Sequence, residues 1–168
     1  MTSTAQANKP GMDTTVKKVP ATFGSFTITR LLKATPERAF AAWSTAEGKS
    51  RWFKSPPGGW VELERKFDFR VGGHDRLVGK WASGMVTDFD CIYRDIVENE
   101  RIVYVYDMTI DGRKISVSMA TIEFKPEGST TRMTVTEQGV FLDGYDDAGS
   151  RERGVGSQMV ELEATLPT

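Results

Sequence analysis

Alternation of apolar and polar side chains is the feature that most limits the folds open to this chain. In the segment VELERKFDFRV, residues 61–71, the odd positions are apolar except Arg65 and the even positions are all charged. A period of two is typical of a strand with one buried face. The same period recurs in four later segments that turn residues separate: 84–97, 101–108, 114–124 and 131–138. The pattern predicts an antiparallel sheet built from hairpins, with Val61 and Leu63 on its buried face.

The stretch RVGGHDRLVG, residues 70–79, joins the first alternating segment to its partner strand and contains the only histidine, His74. Gly72 and Gly73 permit the positive φ angles of a tight reversal, which predicts a hairpin here. His74 and Asp75 are sequence neighbours, so in a strand they point to opposite faces and do not form an acid–base pair. We therefore interpret His74 as a surface residue at a hairpin.

A strand and two short helices are predicted ahead of these segments. Residues 23–32 are rich in β-branched and aromatic side chains, as in a strand. In the following TPERAFAAWS, Thr35 can cap a helix whose first residue is Pro36, where the missing N–H of proline is tolerated. A second short helix over 46–53 is expected to end before the breaker SPPGG at 55–59.

A C-terminal helix is predicted within residues 146–166. Apolar residues spaced by four, three and four form one helical stripe there: Val155, Met159, Leu162 and Leu166. Gly154 and Gly156 each cost about 1 kcal/mol in a helix interior relative to alanine. The sequence therefore leaves two starts open, a helix that begins near Ser157 or an earlier helix whose first turns bend.

Composition excludes several functional classes. With 39% apolar residues, the chain of 168 residues fits one domain with its own core. Its 22 basic and 23 acidic residues give a net charge of −1, so nothing attracts it globally to nucleic acid or anionic membranes. No segment approaches the ~18 apolar residues of a membrane span, and Cys91 is the single cysteine. We expect a cytoplasmic protein with one domain over 22–168 and a flexible arm over 1–21.

Motifs for metal, phosphate or nucleophile chemistry are missing from the sequence. One histidine and one cysteine cannot supply the three or four ligands of a zinc site. Cys91 lies on the apolar side of its predicted strand, which indicates packing rather than catalysis. The glycine-rich phosphate motifs are absent, and the acids of DGYDDAGS at 143–150 lack the spacing of a calcium loop, so we interpret them as a loop with helix-capping aspartates. We predict no metal, no cofactor and no catalytic residue.

Five motifs carry a family resemblance over about residues 24–142. In order they are ITRLLKATPERAFAAWS, RWF, DFRVGGH, ENERIVYVY and TRMTVTEQG. They resemble the signature run of the family related to the activator of Hsp90 ATPase, in the START and Bet v 1-like superfamily. The resemblance implies an α+β helix-grip fold, in which a curved antiparallel sheet of about six or seven strands surrounds a C-terminal helix. Two short helices follow the first strand, and an apolar cavity lies between sheet and helix.

A ligand site is predicted on one face of the strand RIVYVYDM, residues 101–108. Tyr104 and Tyr106 share one face, and Val103 and Val105 share the other. The tyrosines offer apolar bodies with hydroxyl tips, the combination that lines an amphipathic pocket. We expect neighbouring side chains of the same face to join them, and two aromatic residues after the second helix to close the mouth. The predicted ligand-binding residues are Trp52, Phe53, Tyr104, Tyr106, Met108 and Met119.

Three hypotheses for the function remain, because the superfamily includes lipid carriers, polyketide cyclases, hormone receptors and co-chaperones. The leading hypothesis is a non-enzymatic protein that holds a small hydrophobic molecule between sheet and helix. The second is a co-chaperone-like interaction module with an Hsp90-type partner. It is disfavoured because that domain follows an N-terminal domain in the eukaryotic co-activators, and residues 1–21 cannot form one. The third is a cyclase or hydrolase acting on an aromatic polyketide-like substrate, which the lack of a visible acid–base pair disfavours.

Overall fold

The fold is a seven-stranded antiparallel sheet with three helices, seen in a computed structural model that describes residues 20–54 and 59–166. The elements in chain order are β1 Thr22–Leu32, α1 Pro36–Ser44, α2 Ala46–Trp52, β2 Trp60–Phe67, β3 His74–Trp81, β4 Val86–Val97, β5 Arg101–Ile110, β6 Arg113–Glu127, β7 Thr130–Phe141 and α3 Ala148–Thr165. The strand order across the sheet is β1-β7-β6-β5-β4-β3-β2. This arrangement confirms the α+β helix-grip fold, with β1 and β2 as the two edges of the sheet.

Tight turns hold consecutive strands side by side. Between β5 and β6 the turn residues Asp111 and Gly112 have φ angles of 49° and 77°. Between β2 and β3, Gly72 has a φ of 81°, in the left-handed region that glycine enters without strain. Short turns of this kind can only join antiparallel neighbours, so β2 to β7 follow one another across the sheet. β1 pairs with β7 and so forms the opposite edge of the sheet from β2.

The helix α3 begins at Ala148 and continues to Thr165, which decides between the two predicted starts. Asp147 caps it, because its side chain accepts a hydrogen bond of 2.8 Å from the backbone N–H of Ser150. Met159 and Leu162, on the predicted stripe, are buried in the core between α3 and the sheet. The helix therefore starts about nine residues before Ser157 and includes both of its interior glycines.

The predicted buried face of β2 is wrong at its start. Val61 is 64% exposed and Leu63 is 56% exposed. A bulge between Glu62 and Glu64 shifts the register with β3, so the phase of the alternation reverses there. Before the bulge the even-numbered Trp60 faces inward, and its indole covers Gly79, where a side chain would collide with it. β2 is also an edge strand, and the buried hydrophobic residues of the sheet lie mainly on the interior strands.

Parts of the chain lie outside the described residues. Of the predicted arm over 1–21, the structure describes only Pro20 and Ala21, both exposed, and of the breaker SPPGG it describes only Gly59. The domain boundary therefore stays a prediction. None of the helices within 20–54 and 59–166 is long and apolar enough to cross a membrane.

Candidate functional site

A cavity of about 580 Å³ lies between the inner face of the sheet and α3. Eight aromatic side chains contribute to its walls: Trp43, Trp52, Phe53, Trp60, Trp81, Phe89, Tyr104 and Tyr106. Exposed residues of α3, Gly154, Ser157 and Glu161, also line it, so the cavity reaches the surface along that helix. A second depression of about 410 Å³, near Pro36 and Asn99, is lined by more charged and polar residues than apolar ones and by fewer aromatic side chains. The aromatic cavity is therefore the candidate site.

The aromatic walls are packed against one another. The ring centroids of Phe53 and Phe89 lie 4.9 Å apart, and those of Phe89 and Tyr106 also lie 4.9 Å apart. Tyr104 and Tyr106 are separated by 5.9 Å between ring centroids. Edge-to-face and tilted contacts at these distances are favourable for aromatic rings. The aromatic walls thus support one another through their own ring contacts.

Five of the six predicted ligand-binding residues line this cavity. They are Trp52, Phe53, Tyr104, Tyr106 and Met108. Met119 does not: it is 40% exposed and lies directly opposite Val105 in the pairing of β5 with β6. Residues opposite each other in an antiparallel pair share a face, so Met119 lies on the outer face of the sheet. The predicted placement of Met119 is therefore wrong, and ligand binding by the other five stays a prediction.

A group of polar side chains forms one end of the cavity. We name it the Glu137 cluster and define it as Tyr106, Glu137, Asp146 and Arg151. The Tyr106 hydroxyl donates a hydrogen bond of 2.6 Å to Glu137 Oε1, and Arg151 Nη1 lies 3.5 Å from the same oxygen. Arg151 also donates to Asp146 Oδ2 at 2.6 Å. The cluster places a hydrogen-bonded carboxyl group beside the aromatic walls.

Burial shifts the acidity of two members of the Glu137 cluster. The pKa of Glu137 is raised above its ordinary value of 4.5, mainly because burial penalises the carboxylate. The hydrogen bond from Tyr106 and the charge of Arg151 lower the pKa of Glu137, and so oppose the effect of burial in part. Burial also raises the pKa of Tyr106, so its hydroxyl keeps its proton at neutral pH. The cluster therefore offers a hydroxyl donor and a carboxyl group that ionises less readily than an exposed one.

A second buried polar group lies behind the aromatic wall. We name it the Lys49 cluster and define it as Lys49, Asp75 and Tyr93. Lys49 Nζ is 3.3 Å from Asp75 Oδ2, and the Tyr93 hydroxyl donates to that same oxygen at 3.1 Å. The side chains of Lys49 and Asp75 are only 2% and 0% exposed. Lys49 Nζ also lies 4.7 Å from the ring centroids of Trp43 and Phe53, within the range of cation–π attraction.

Six of the seven residues in these two clusters were not predicted as site residues from the sequence: Lys49, Asp75, Tyr93, Glu137, Asp146 and Arg151. The signal for Glu137 was present, because in TRMTVTEQ it shares the strand period of Met133 and Val135. Arg151 precedes Val155 by four residues and so continues the helical stripe. No local sequence pattern indicates that Lys49 pairs with Asp75, because α2 and β3 meet only in the tertiary structure.

The single histidine and cysteine lie where they contribute no reactive group to the cavity. His74 is exposed, and its Nδ1 is 3.0 Å from Asp90 Oδ1, while its neighbour Asp75 points into the core. Cys91 is buried, and burial raises the pKa of its thiol to about 12, so the thiolate is disfavoured. Among the described residues, no group of three or more His, Cys, Asp or Glu side chains could hold a metal ion.

Comparison with protein families gives a match over most of the chain. The family model described as "Activator of Hsp90 ATPase homolog 1-like protein" matches residues 33–167. The chain belongs to this family. The match includes both short helices, six of the seven strands and α3, and so all residues of the Glu137 and Lys49 clusters.

Solved structures of the same fold include two rhizobial proteins. The protein Mll3558 from Rhizobium loti is 36% identical, covers 88% of this chain and 100% of its own, and superposes with a TM-score of 0.81. An uncharacterised protein from Rhizobium leguminosarum is 40% identical, covers 86% and 95%, and has a TM-score of 0.82. An AHSA1-like protein from Aeromonas hydrophila, 16% identical with coverages of 83% and 90% and a TM-score of 0.60, shares the fold. A search of curated proteins returned no match.

Proposed function

We propose that this protein binds a small hydrophobic molecule in the aromatic cavity between the sheet and α3 and does not transform it. The observation that carries the proposal is the 580 Å³ cavity with aromatic walls and one polar end. Its volume falls within the roughly 300–1,000 Å³ of sites for small molecules, which are mainly apolar with a few polar groups. The family's helix-grip fold commonly holds ligands in this position.

Binding is favoured over catalysis by the state of the polar groups. Tyr106 keeps its proton because burial raises the pKa of its hydroxyl, and that proton is donated to Glu137. The buried Cys91 thiol is not activated either, since its pKa is raised to about 12. Neither Tyr106 nor Cys91 is therefore activated as a nucleophile. We place the protein in the cytoplasm on the single cysteine, which is typical of a reducing compartment.

Uptake of the dye N-phenyl-1-naphthylamine tests the proposal, because its fluorescence rises in apolar surroundings. Tyr106→Ala removes part of the cavity wall, whereas Val105→Ala changes the outer face of the same strand. We expect the wild type to take up the dye and Tyr106→Ala to weaken binding at least tenfold, which is about 1.4 kcal/mol. Val105→Ala, the matched control, should bind the dye within twofold of wild type.

Two results would contradict the proposal. If Val105→Ala alters dye uptake and Tyr106→Ala does not, the ligand sits on the outer face of the sheet. If the folded wild type takes up no dye and no naphthalene ligand, the cavity is not a binding site for apolar molecules. The co-chaperone-like interaction module then becomes the better hypothesis, and binding to an Hsp90-type chaperone is the measurement to make next.

A further inference from the structure

We propose that the Glu137 cluster selects an uncharged aromatic ligand that carries a hydroxyl group, and that it rejects aromatic carboxylates of the same size. This inference rests on the proposed function and names the chemical class of the ligand. It depends on three features of the described residues: the hydrogen bonds of Arg151, the balance of charge around Glu137, and the aromatic character of the walls.

Protein groups already occupy most of the hydrogen-bonding capacity of the Arg151 guanidinium. Arginine has five N–H donors. Two of them donate to Asp146 Oδ2, from Nε at 3.1 Å and from Nη2 at 2.6 Å. A third donates from Nη2 to Ser116 Oγ at 2.7 Å, and a fourth from Nη1 to the Tyr106 hydroxyl. The fifth donor makes no hydrogen bond among the described residues, and Nη1 itself lies 3.5 Å from Glu137 Oε1.

The charges at the polar end do not favour an incoming anion. Arg151 supplies one positive charge, and two carboxyl groups, Glu137 and Asp146, already lie beside it. Lys49, which is also buried, is paired with Asp75 and lies behind the aromatic wall. Moving a carboxylate from water to a buried place without a partner costs several kcal/mol. A ligand carboxylate would therefore be the third acid around one arginine.

A ligand hydroxyl can form a hydrogen bond with Glu137 whether or not Glu137 carries its proton. Glu137 Oε1 accepts a hydrogen bond from Tyr106, and the hydroxyl of Ser118 lies close enough to Glu137 to lower its pKa. A hydroxyl can donate to a carboxylate oxygen and can accept from a protonated one. A ligand cation is less suited, because Arg151 lies next to Glu137.

The walls determine what the hydroxyl is attached to. Trp60, Trp81 and Phe89 come from three adjacent strands and line the same cavity as Tyr106. Flat rings pack well against aromatic side chains in tilted or edge-to-face contacts. A fused or substituted aromatic ring therefore fills the cavity with favourable contacts, while its hydroxyl reaches Glu137.

Three naphthalenes that differ only in the polar group test the inference. Isothermal titration at pH 7 compares 2-naphthol, which is uncharged, with 2-naphthoate and with 2-naphthylmethylammonium. We expect 2-naphthol to bind at least tenfold more tightly than 2-naphthoate. Glu137→Gln removes one carboxyl group beside Arg151, so it should reduce the ratio of the affinity for 2-naphthol to that for 2-naphthoate at least threefold. Glu98→Gln, at an exposed position on the turn after β4, is the matched control and should leave the ratio unchanged.

A second variant keeps the test valid if Glu137→Gln does not fold. Asp146→Asn removes one carboxylate partner of Arg151 and leaves Glu137 in place. It should raise the affinity for 2-naphthoate at least threefold, because Asp146 then no longer neutralises the charge of the Arg151 guanidinium. Circular dichroism checks that each variant is folded.

The outcomes separate this inference from the proposed function. If 2-naphthoate or the ammonium ligand binds as tightly as 2-naphthol while N-phenyl-1-naphthylamine is still taken up, the inferred selectivity is wrong. The cavity then remains a binding site for apolar molecules. If the ratio is unchanged in folded Glu137→Gln and in Asp146→Asn, the cluster does not set the selectivity. If neither the dye nor any naphthalene binds, the proposed function fails and the inference fails with it.

Discussion

The Lys49 cluster and the Glu137 cluster are built from the same chemical parts and lie in different surroundings. Each combines a cationic side chain, a buried carboxyl group and a tyrosine hydroxyl that donates to that carboxyl. In the Lys49 cluster the carboxyl group faces a single cation, and aromatic rings cover that cation. In the Glu137 cluster the cation is shared between two acids, and the whole cluster lines the cavity.

The two clusters differ in their access to the cavity, and this difference suggests different roles for them. Lys49 and Asp75 are closed off from the cavity, so their charges can only stabilise or destabilise the fold. Glu137 and Arg151 are almost as buried, at 3% and 10% side-chain exposure, yet they line a space that a ligand can enter. Polar groups next to an apolar cavity can give orientation and specificity to a ligand. We therefore expect variants of the first cluster to affect stability and variants of the second to affect binding.

The largest effect is expected when the Lys49 cluster is broken. Lys49→Met leaves Asp75 buried without its cation, and removing one partner of a buried pair typically costs about 3–5 kcal/mol. Arg51→Met on the same helix is the matched control, because Arg51 pairs with Glu47 in solvent and such pairs contribute about 1 kcal/mol or less. Urea unfolding measures both. A loss below 1 kcal/mol for Lys49→Met would mean that the pair does not stabilise the fold.

The next effect is expected at the mouth of the cavity. A side chain at Gly154 would begin in open space, with no atom beyond the neighbouring helix backbone within 4 Å of its Cβ, and Gly154 lines the cavity. Gly154→Phe should fill part of the space and weaken uptake of N-phenyl-1-naphthylamine about tenfold, which is about 1.4 kcal/mol. Val160→Phe, at an exposed position on the same helix, should bind the dye within twofold of wild type. Equal uptake by both variants would show that ligands do not enter along α3.

A smaller effect is expected in the pH dependence of stability, where Glu137 is the relevant group. Its pKa is raised in the folded state, so the folded protein binds more protons than the unfolded chain between pH 4.5 and the raised value. Its contribution to the free energy of unfolding therefore decreases as pH rises through that interval. Glu137→Gln removes this contribution, so the stability of the variant relative to wild type should increase from pH 4.5 to pH 8. Urea unfolding at several pH values measures the trend, which Glu98→Gln should not show.

The smallest effect is expected at His74, which belongs to neither cluster. Its side chain is 52% exposed and pairs with Asp90 across β3 and β4. His74→Ala should leave dye binding within about threefold of wild type and change the free energy of unfolding by less than about 1 kcal/mol. A hundredfold loss of binding in the folded variant would instead place His74 in the binding machinery.

Much of the fold could be predicted because its signals are local. Thr35 and Pro36 mark the start of α1, Asp111 and Gly112 mark the turn between β5 and β6, and the period of two marks the strands. The period also placed Tyr104 and Tyr106 on the face that lines the cavity. Signals of this kind need only the neighbouring residues along the chain, and side-chain direction follows from them.

Predictions were wrong where a register change between strands decided the outcome. The bulge after Glu62 reverses the faces of β2 and exposes Val61. The pairing of Val105 with Met119 turns Met119 outward, and the inward positions of β6 beside the tyrosines hold Ser118 and Ala120. A shift of one residue exchanges the two faces of a strand, and the turn and bulge geometry that sets it is not visible in the hydrophobic pattern.

The sequence by itself determined the strands, the helices, their order and the tyrosine face, because periodicity and turn residues act within a few positions of the chain. Only the tertiary structure decided that Lys49 meets Asp75 behind an aromatic wall and that Arg151 meets Tyr106 and Glu137 at the cavity. The members of these pairs lie 26, 45 and 14 positions apart in the chain. Their chemistry depends on burial and distance, which the packing of α2 and α3 against the sheet creates.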